Sequence, residues 1–230
     1  MKAAIVTVGD ELLTGDTENT NATWLCGTLD ERGVGVERVT TVPDRIADIA
    51  RVVNEYHAEY DAVVVTGGLG PTHDDVTMEG VAAAFGRDVE PHEAALAWLE
   101  EEGGYAAADL AAGTADLPGG ARALHNPEGV APGAVVESCY VLPGVPAEMK
   151  AMFAAVAEEF DGERTYVETV ETGEPESALL DRLSEVQQRF SVGVGSYPGE
   201  TVTLKLTAAD ATEARRAAEW LEAHVETVEE

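Results

Sequence analysis

Short apolar segments alternate with segments of helical pattern through the first 160 residues, and this alternation is the strongest constraint on the fold. Residues 3–8 are almost continuously apolar, as in a strand that is buried on both faces of a sheet, and residues 61–66 form another predicted strand. A helical pattern covers 19–32, and Pro43-Asp44 opens another after a second strand at 34–42. Strands and helices that alternate at this length predict βαβ units, a largely parallel sheet and an α/β fold.

The rest of the chain divides at Asp161-Gly162, where the composition changes. Before it, we predict helices at 76–85, 91–102, 105–112 and 147–160, and one strand at 134–142. After it, the order is strand, helix, strand, strand, helix, which is typical of half or more of a ferredoxin-like unit. We therefore predict two domains, a large one at 1–162 and a small α+β domain at 163–230.

The chain is strongly acidic along its whole length. It has 44 Asp and Glu against 14 Lys and Arg, a formal net charge of −30, and only three of the cations are lysines. Such a surface repels phosphate backbones, so we expect no nucleic-acid partner. Because molar salt would screen this self-repulsion, we predict a halophilic protein from a salt-rich cytosol; an acidic protein of an ordinary cell is the alternative.

The cysteines and the N-terminus carry no sign of a secreted or membrane protein. Cys26 and Cys139 lack metal-ligand spacing, and we expect both to be buried as small apolar residues. The apolar run at the N-terminus is too short for a signal peptide, and nowhere do 18 apolar residues follow one another. We therefore expect a cytoplasmic protein with no membrane partner.

A glycine-rich loop follows the third predicted strand and gives the strongest functional signal. The string TGGLGPTHDDVT covers residues 66–77 and stands between a buried strand and a helix, where α/β sheets bind ligands. Glycines allow the backbone to approach a phosphate closely. The loop lacks the endings of the P-loop and Rossmann motifs. We expect its phosphate-binding residues to be Thr66, Gly67, Gly68, Gly70 and Thr72.

Asp74 and Asp75 would repel a phosphate in this loop unless a cation lay between them. A hard divalent cation, Mg²⁺ or Co²⁺, would bridge carboxylate and phosphate oxygens. We therefore predict a metal held by Asp74, Asp75 and Glu11. The alternative is that the loop is only a tight turn and that Asp74 or Asp75 caps the following helix.

Other polar residues are predicted to reach the same edge of the sheet. Asp10 and Glu11 follow the first strand, and Asn19 and Asn21 could read the edge of a heterocycle or cap a helix. Asp44 follows the second strand, with an N-cap as its alternative role. The turn at Pro143 and Gly144 is the last element expected there, although its prolines could simply fix a helix entry.

Taken in order, GDELLTGDTENTNA, VPD, TGGLGPTHDDVT and LPGVPAEM resemble the MoaB/Mog (molybdopterin-binding) superfamily, specifically the N-terminal domain of CinA-like competence/damage-inducible proteins. The resemblance covers about residues 1–160, and the tail is similar to the small domain that follows in CinA proteins. It implies a three-layer α/β/α fold. The chain has no room after Glu230 for the amidase domain of long CinA proteins, so we expect no activity on nicotinamide mononucleotide.

The resemblance also implies a chemistry and roles for residues. Asp44 and Asp75 match the key carboxylates of Mog-type adenylyltransferases, and CinA-type proteins are associated with metal-dependent hydrolysis of ADP-ribose-like pyrophosphates. Asp75 would hold the metal, and Asp44 or Asp10 would position the second ligand or the attacking water. The expected partner is a small nucleotide or pterin phosphate, with a molybdopterin-type ligand as an alternative cofactor, and the protein is expected to be a dimer. Adenylyl transfer to molybdopterin and a non-catalytic regulatory module remain the alternative functions.

Overall fold

The computed structural model describes residues 1–104, 110 and 113–226. The chain forms two compact units, Met1–Gly162 and Glu163–Glu230, and each has its own core. The helix predicted at 105–112 falls mostly outside the described residues.

The first unit is built on a six-stranded sheet. Its strands, together with those of a separate two-stranded ribbon (β4 and β5), are β1 (Lys2–Val8), β2 (Gly35–Val42), β3 (Ala62–Thr66), β4 (Val89–Pro91), β5 (Asp116–Pro118), β6 (Arg122–Leu124), β7 (Gly133–Val136) and β8 (Cys139–Leu142). The order in the large sheet is β2-β1-β3-β8-β7-β6, and the first four strands run parallel. The predicted α/β class with a mostly parallel sheet is therefore confirmed.

Helices cover both faces of this sheet. They are α1 (Asp10–Thr14), α2 (Thr20–Glu31), α3 (Ile46–Glu59), α4 (Thr77–Ala84), α5 (Glu93–Glu101) and α6 (Pro146–Val156), which ends in a 3₁₀ turn. Successive residues of β1 point to opposite sides: Val6 packs with Ile49 of α3, whereas Ile5 packs with Leu25 of α2. Two apolar cores thus lie on either side of the sheet, which makes three layers.

The prediction of a single strand at 134–142 was wrong. The segment is a hairpin of β7 and β8, in which Ala134 pairs with Val141 in antiparallel register. Glu137 makes the reversal with a positive φ of 54°, a conformation that non-glycine residues seldom adopt. Both strands are fully buried and apolar, so the sequence pattern does not show that a turn separates them.

Smaller predictions also needed correction. Ile46, the first residue of α3, is 43% exposed. Cys139 is buried as predicted, and burial raises the pKa of its thiol to about 12, whereas Cys26 is only partly buried. The short helix α1 was not predicted. Within the described residues, no helix has the length and apolar character needed to cross a bilayer.

The second unit contains one antiparallel sheet and two helices. Its elements are β9 (Tyr166–Thr172), α7 (Glu176–Arg189), β10 (Gly193–Pro198), β11 (Val202–Ala208) and α8 (Ala211–Glu222). The strand order is β10-β11-β9. Buried residues alternate along β11, and they pack with Leu179 of α7 and Leu221 of α8 in one apolar core. The βαββα order predicted from the sequence is present.

Candidate functional site

A polar cavity of about 240 Å³ lies in the first unit, where the loops after β1, β2, β3 and β8 meet. The backbone holds these loops together: Gly9 N–H donates to the carbonyl of Val42, and Gly67 N–H donates to that of Leu142, both at 3.2 Å. The predicted site residues that line it are Glu11, Asn19, Asn21, Asp44, Thr66, Gly67, Gly68, Asp74, Asp75 and Gly144. Parallel topology thus brings together motifs that are far apart in the sequence.

The glycine loop requires glycine for two physical reasons. Gly67 and Gly68 have φ of 108° and 64°, which side chains disfavour. A Cβ on Gly67 would also collide with the carbonyl of Val8, and one on Gly68 with the hydroxyl of Thr77. Thr77 N–H donates to the Gly68 carbonyl at 3.2 Å, so the loop is fixed to the start of α4.

Asp75 closes the loop on itself. Its Oδ2 accepts hydrogen bonds from the backbone N–H of Thr72, at 3.0 Å, and from the Thr72 hydroxyl. Oδ2 also lies 2.6 Å from the position that a Cβ on Gly70 would take. The N-cap of α4 is Val76, with no side-chain cap bond, so the alternative that Asp74 or Asp75 caps this helix is wrong.

Asp44 lines the cavity and does not cap a helix. The N-cap of α3 is Arg45, and Asp44 Oδ2 accepts the backbone N–H of Asp10 at 2.9 Å. Burial raises the pKa of the Asp44 carboxyl, and the nearby charges of Asp10, Glu11 and Asp74 raise it further against the hydrogen bond from Asp10. The site therefore concentrates negative charge around a half-buried carboxyl.

The two asparagines serve different purposes. Asn19 caps α2, since its Oδ1 accepts the N–H of Ala22 at 3.1 Å, and its Nδ2 donates to the Thr7 hydroxyl at 2.9 Å. Asn21 Nδ2 donates to the carbonyl of Gly144 at 2.7 Å and to the hydroxyl of Thr66 at 3.2 Å. Asn21 therefore ties α2 to the end of β3 and to the turn before α6.

Some predicted site residues do not line this cavity. Asp10 reaches it only through the N–H that it donates to Asp44. Pro143 is buried, and its carbonyl accepts the Thr66 hydroxyl at 2.7 Å. Gly70 and Thr72 line a neighbouring cavity on the other side of the loop.

That neighbouring cavity has a volume of about 460 Å³ and shares Gly68 and Asp75 with the first. Its further lining includes Leu69, Met78, Glu79, Val89, Asp116, Val130 and Pro132. Most of these residues were not predicted from the sequence, because they come from separate segments and form no motif. Two cavities of different character therefore meet at the glycine loop, the larger with more apolar side chains.

The predicted metal ligands do not form a complete metal centre. Within the part of the chain that the structure describes, no three His, Cys, Asp or Glu residues are grouped so that they could hold a metal ion. Asp74, Asp75 and Glu11 all line the cavity, and the Glu11 carboxylate lies over Gly9. This donor set fits Mg²⁺, which proteins commonly hold through one or two carboxylates together with the phosphates of a substrate.

Known proteins resemble this chain over most of its length. Residues 4–161 match a family described as "Probable molybdopterin binding domain". An Aeropyrum pernix protein is 44% identical over 200 residues, which cover 81% of this chain and 75% of that protein. A CinA-like protein of Geobacter sp. is 42% identical over 66% of this chain and 38% of its own length.

A solved structure agrees with these matches. The crystal structure of the protein CinA "with unknown function" from Thermoplasma acidophilum has 38% sequence identity and a TM-score of 0.64. The match covers 69% of this chain and 97% of that one. The chain therefore belongs to the family of molybdopterin-binding-domain (MoaB/Mog) proteins and is CinA-like.

Proposed function

We propose that this protein is a divalent-metal-dependent hydrolase of nucleotide pyrophosphates, with ADP-ribose as substrate. The observation that carries the proposal is the meeting of a glycine loop with a half-buried carboxyl, Asp44, in one cavity. A loop of this kind presents backbone N–H groups to phosphate, and carboxylates beside it are compatible with phosphate only when a cation is bound.

In this proposal different residues bind the phosphate, hold the metal and orient the water. Gly68 binds a phosphate through the backbone, and Gly67 fixes the loop through its bond to the Leu142 carbonyl. Asp75 holds the metal through the oxygen that Thr72 leaves free. Bound Mg²⁺ or Co²⁺ would neutralise charge that develops on the phosphate oxygens. Asp44, fixed by Asp10, orients a water molecule, which adds to one phosphorus as the bridging P–O bond breaks. The products are AMP and ribose 5-phosphate.

The experiment is a phosphorus NMR assay of purified protein with ADP-ribose, with Mg²⁺ or Co²⁺ or with a chelator. We expect AMP and ribose 5-phosphate only when metal is present, and a large loss of turnover in Asp75→Asn. Metal-independent binding of ADP-ribose without turnover, equal in the wild type and in Asp75→Asn, would instead support a binding module. Adenylylation of a pterin phosphate from ATP in a parallel assay would support the transferase function.

A further inference from the structure

Asn21 carries a carbonyl oxygen that has no hydrogen-bond donor. The amide is fixed in one orientation, because Nδ2 donates both to the carbonyl of Gly144 and to the hydroxyl of Thr66. Its Oδ1 is buried, and it is one of three buried side-chain polar atoms without a partner among the described residues; the others are Thr77 Oγ1 and Ser196 Oγ. The orphan oxygen thus belongs to a side chain that the fold holds rigidly in the wall of the 240 Å³ cavity.

A buried acceptor without a donor lowers stability, and folded proteins keep few of them. Asn19 shows that the same residue type can be fully used two positions away, because both its Oδ1 and its Nδ2 have partners. The orphan state of Asn21 Oδ1 is therefore a feature of this position, and a ligand that supplied a donor would relieve it.

The lining of the cavity indicates what kind of donor that is. Its walls carry acceptors and hydroxyls, including Glu11, Thr17, Glu18, Thr20 and Asp44. Phosphate groups have no protons to donate at neutral pH, and a flat base is better matched by the apolar side chains of the larger cavity, such as Met78 and Val130. Sugar hydroxyls both donate and accept, as this lining requires.

We infer that the smaller cavity is a sugar subsite, in which Asn21 Oδ1 accepts a hydroxyl of the ribose that the substrate carries beyond its pyrophosphate. The inference rests on the proposed function for the identity of the substrate. Beyond that function, it identifies an atom that determines specificity and gives the orientation of the bound substrate. The phosphates lie over the loop at Gly68, and the ribose that is not part of adenosine lies toward Asn21.

The test measures binding by calorimetry with Mg²⁺ present. One probe is α,β-methylene-ADP-ribose, which cannot be cleaved between its phosphates; the other is α,β-methylene-ADP with a methyl ester on its β-phosphate, which has the same charge and no second ribose. We expect the wild type to bind the ribose compound about tenfold more tightly, the value of one ordinary hydrogen bond. The Asn21→Leu variant should bind both probes equally.

Two further variants separate recognition from structural damage. Asn21→Asp keeps an acceptor but loses the bonds to Gly144 and Thr66, so it should bind both probes more weakly and keep the ratio between them. Asn19→Ser keeps a capping acceptor for α2 and should likewise keep the ratio. The subsite is wrong if the wild type does not distinguish the probes, if Asn21→Leu retains the ratio, or if the ribose compound does not bind. Retained selectivity without hydrolysis of ADP-ribose would remove only the hydrolase proposal.

Discussion

The backbone N–H of Asp10 donates to Oδ2 of Asp44 at 2.9 Å, across 34 residues of sequence. This bond joins the first turn of α1 to the loop after β2, so the ends of two neighbouring parallel strands share one carboxylate. It also orients Asp44 while leaving Oδ1 toward Gly68, where that oxygen lies 3.3 Å from the position of an added Cβ. The site therefore holds a carboxyl that would be more stable protonated or in water.

Replacing Asp44 by Asn should stabilise the fold at neutral pH. The pKa of Asp44 is raised in the folded protein, mainly by burial, so ionisation costs the folded state more than the unfolded chain. That penalty is absent below the unfolded pKa of about 4 and develops as pH rises through the folded value. Asn can still accept the N–H of Asp10. We expect Asp44→Asn to melt above the wild type at pH 7 and to lose this advantage toward pH 4, in calorimetry across that range. A lower melting temperature at pH 7 would contradict the burial argument.

Replacing Asp75 by Asn should strongly reduce metal-dependent turnover without unfolding the protein. The Asn Oδ1 can still accept the N–H and hydroxyl of Thr72, so the loop keeps its closure, but the charge that attracts the metal is gone. We expect hydrolysis of ADP-ribose to fall by about 10² or more, because a metal ion stabilises transition-state charge by several kcal/mol.

The matched control for Asp75 is Asp30→Asn. Asp30 lies exposed on α2, and its side chain is absent from both cavities. Steady-state assays should give this variant the turnover of the wild type at the same Mg²⁺ concentration. Equal losses in the two variants would point to net charge, and not to a metal ligand, as the cause.

Adding one methyl group should weaken ligand binding at Gly68 and stabilise the fold at Gly27. At Gly68, φ is 64° and the methyl would collide with the Thr77 hydroxyl, so the loop must move away from its phosphate-binding shape. We expect Gly68→Ala to weaken ADP-ribose binding in titration calorimetry, with a fold that is retained or slightly destabilised. Gly27 lies within α2 with open space around its Cβ position, so Gly27→Ala should stabilise by about 0.5–1 kcal/mol. Unchanged affinity in Gly68→Ala would show that the loop does not bind phosphate.

The parallel half of the sheet could be predicted because β1 and β3 are short apolar runs and because strand and helical patterns alternate along this part of the sequence. The antiparallel half could not, since the reversal at Glu137 and Ser138 lies between two fully buried strands and contains neither glycine nor proline. Glycine and proline are the residues by which a turn is usually recognised in a sequence. Here the turn conformation is imposed instead by the pairing of β7 with β8, in which Ala134 lies opposite Val141.

For the site, the sequence predicted which motifs meet but not how each atom is used. Asn19 and Asn21 look equivalent in the string NTN, yet one caps a helix and the other ends with a free carbonyl oxygen. Which role each takes depends on partners as distant as Gly144. The larger cavity escaped prediction for a related reason, because side chains such as Met78 and Val130 come together only through tertiary packing.

The acidic surface makes a last prediction about salt, which can be tested on α5. Glu100 and Glu101 lie in the last turn of this helix, exposed and without a basic residue there, so they repel each other and the negative end of the helix dipole. The whole chain should melt at higher temperature in molar KCl than in low salt, because the Debye length falls to about 3 Å. We expect the double variant Glu100→Gln, Glu101→Gln to stabilise the fold by about 1 kcal/mol in low salt and by almost nothing in molar KCl.

Glu93, in the first turn of the same helix, is the control. Glu93→Gln should destabilise the fold in low salt, because a negative charge at the N-terminal end of a helix is favourable. Melting curves that do not change with KCl, or a double variant with no gain in low salt, would contradict a fold destabilised by its own charge.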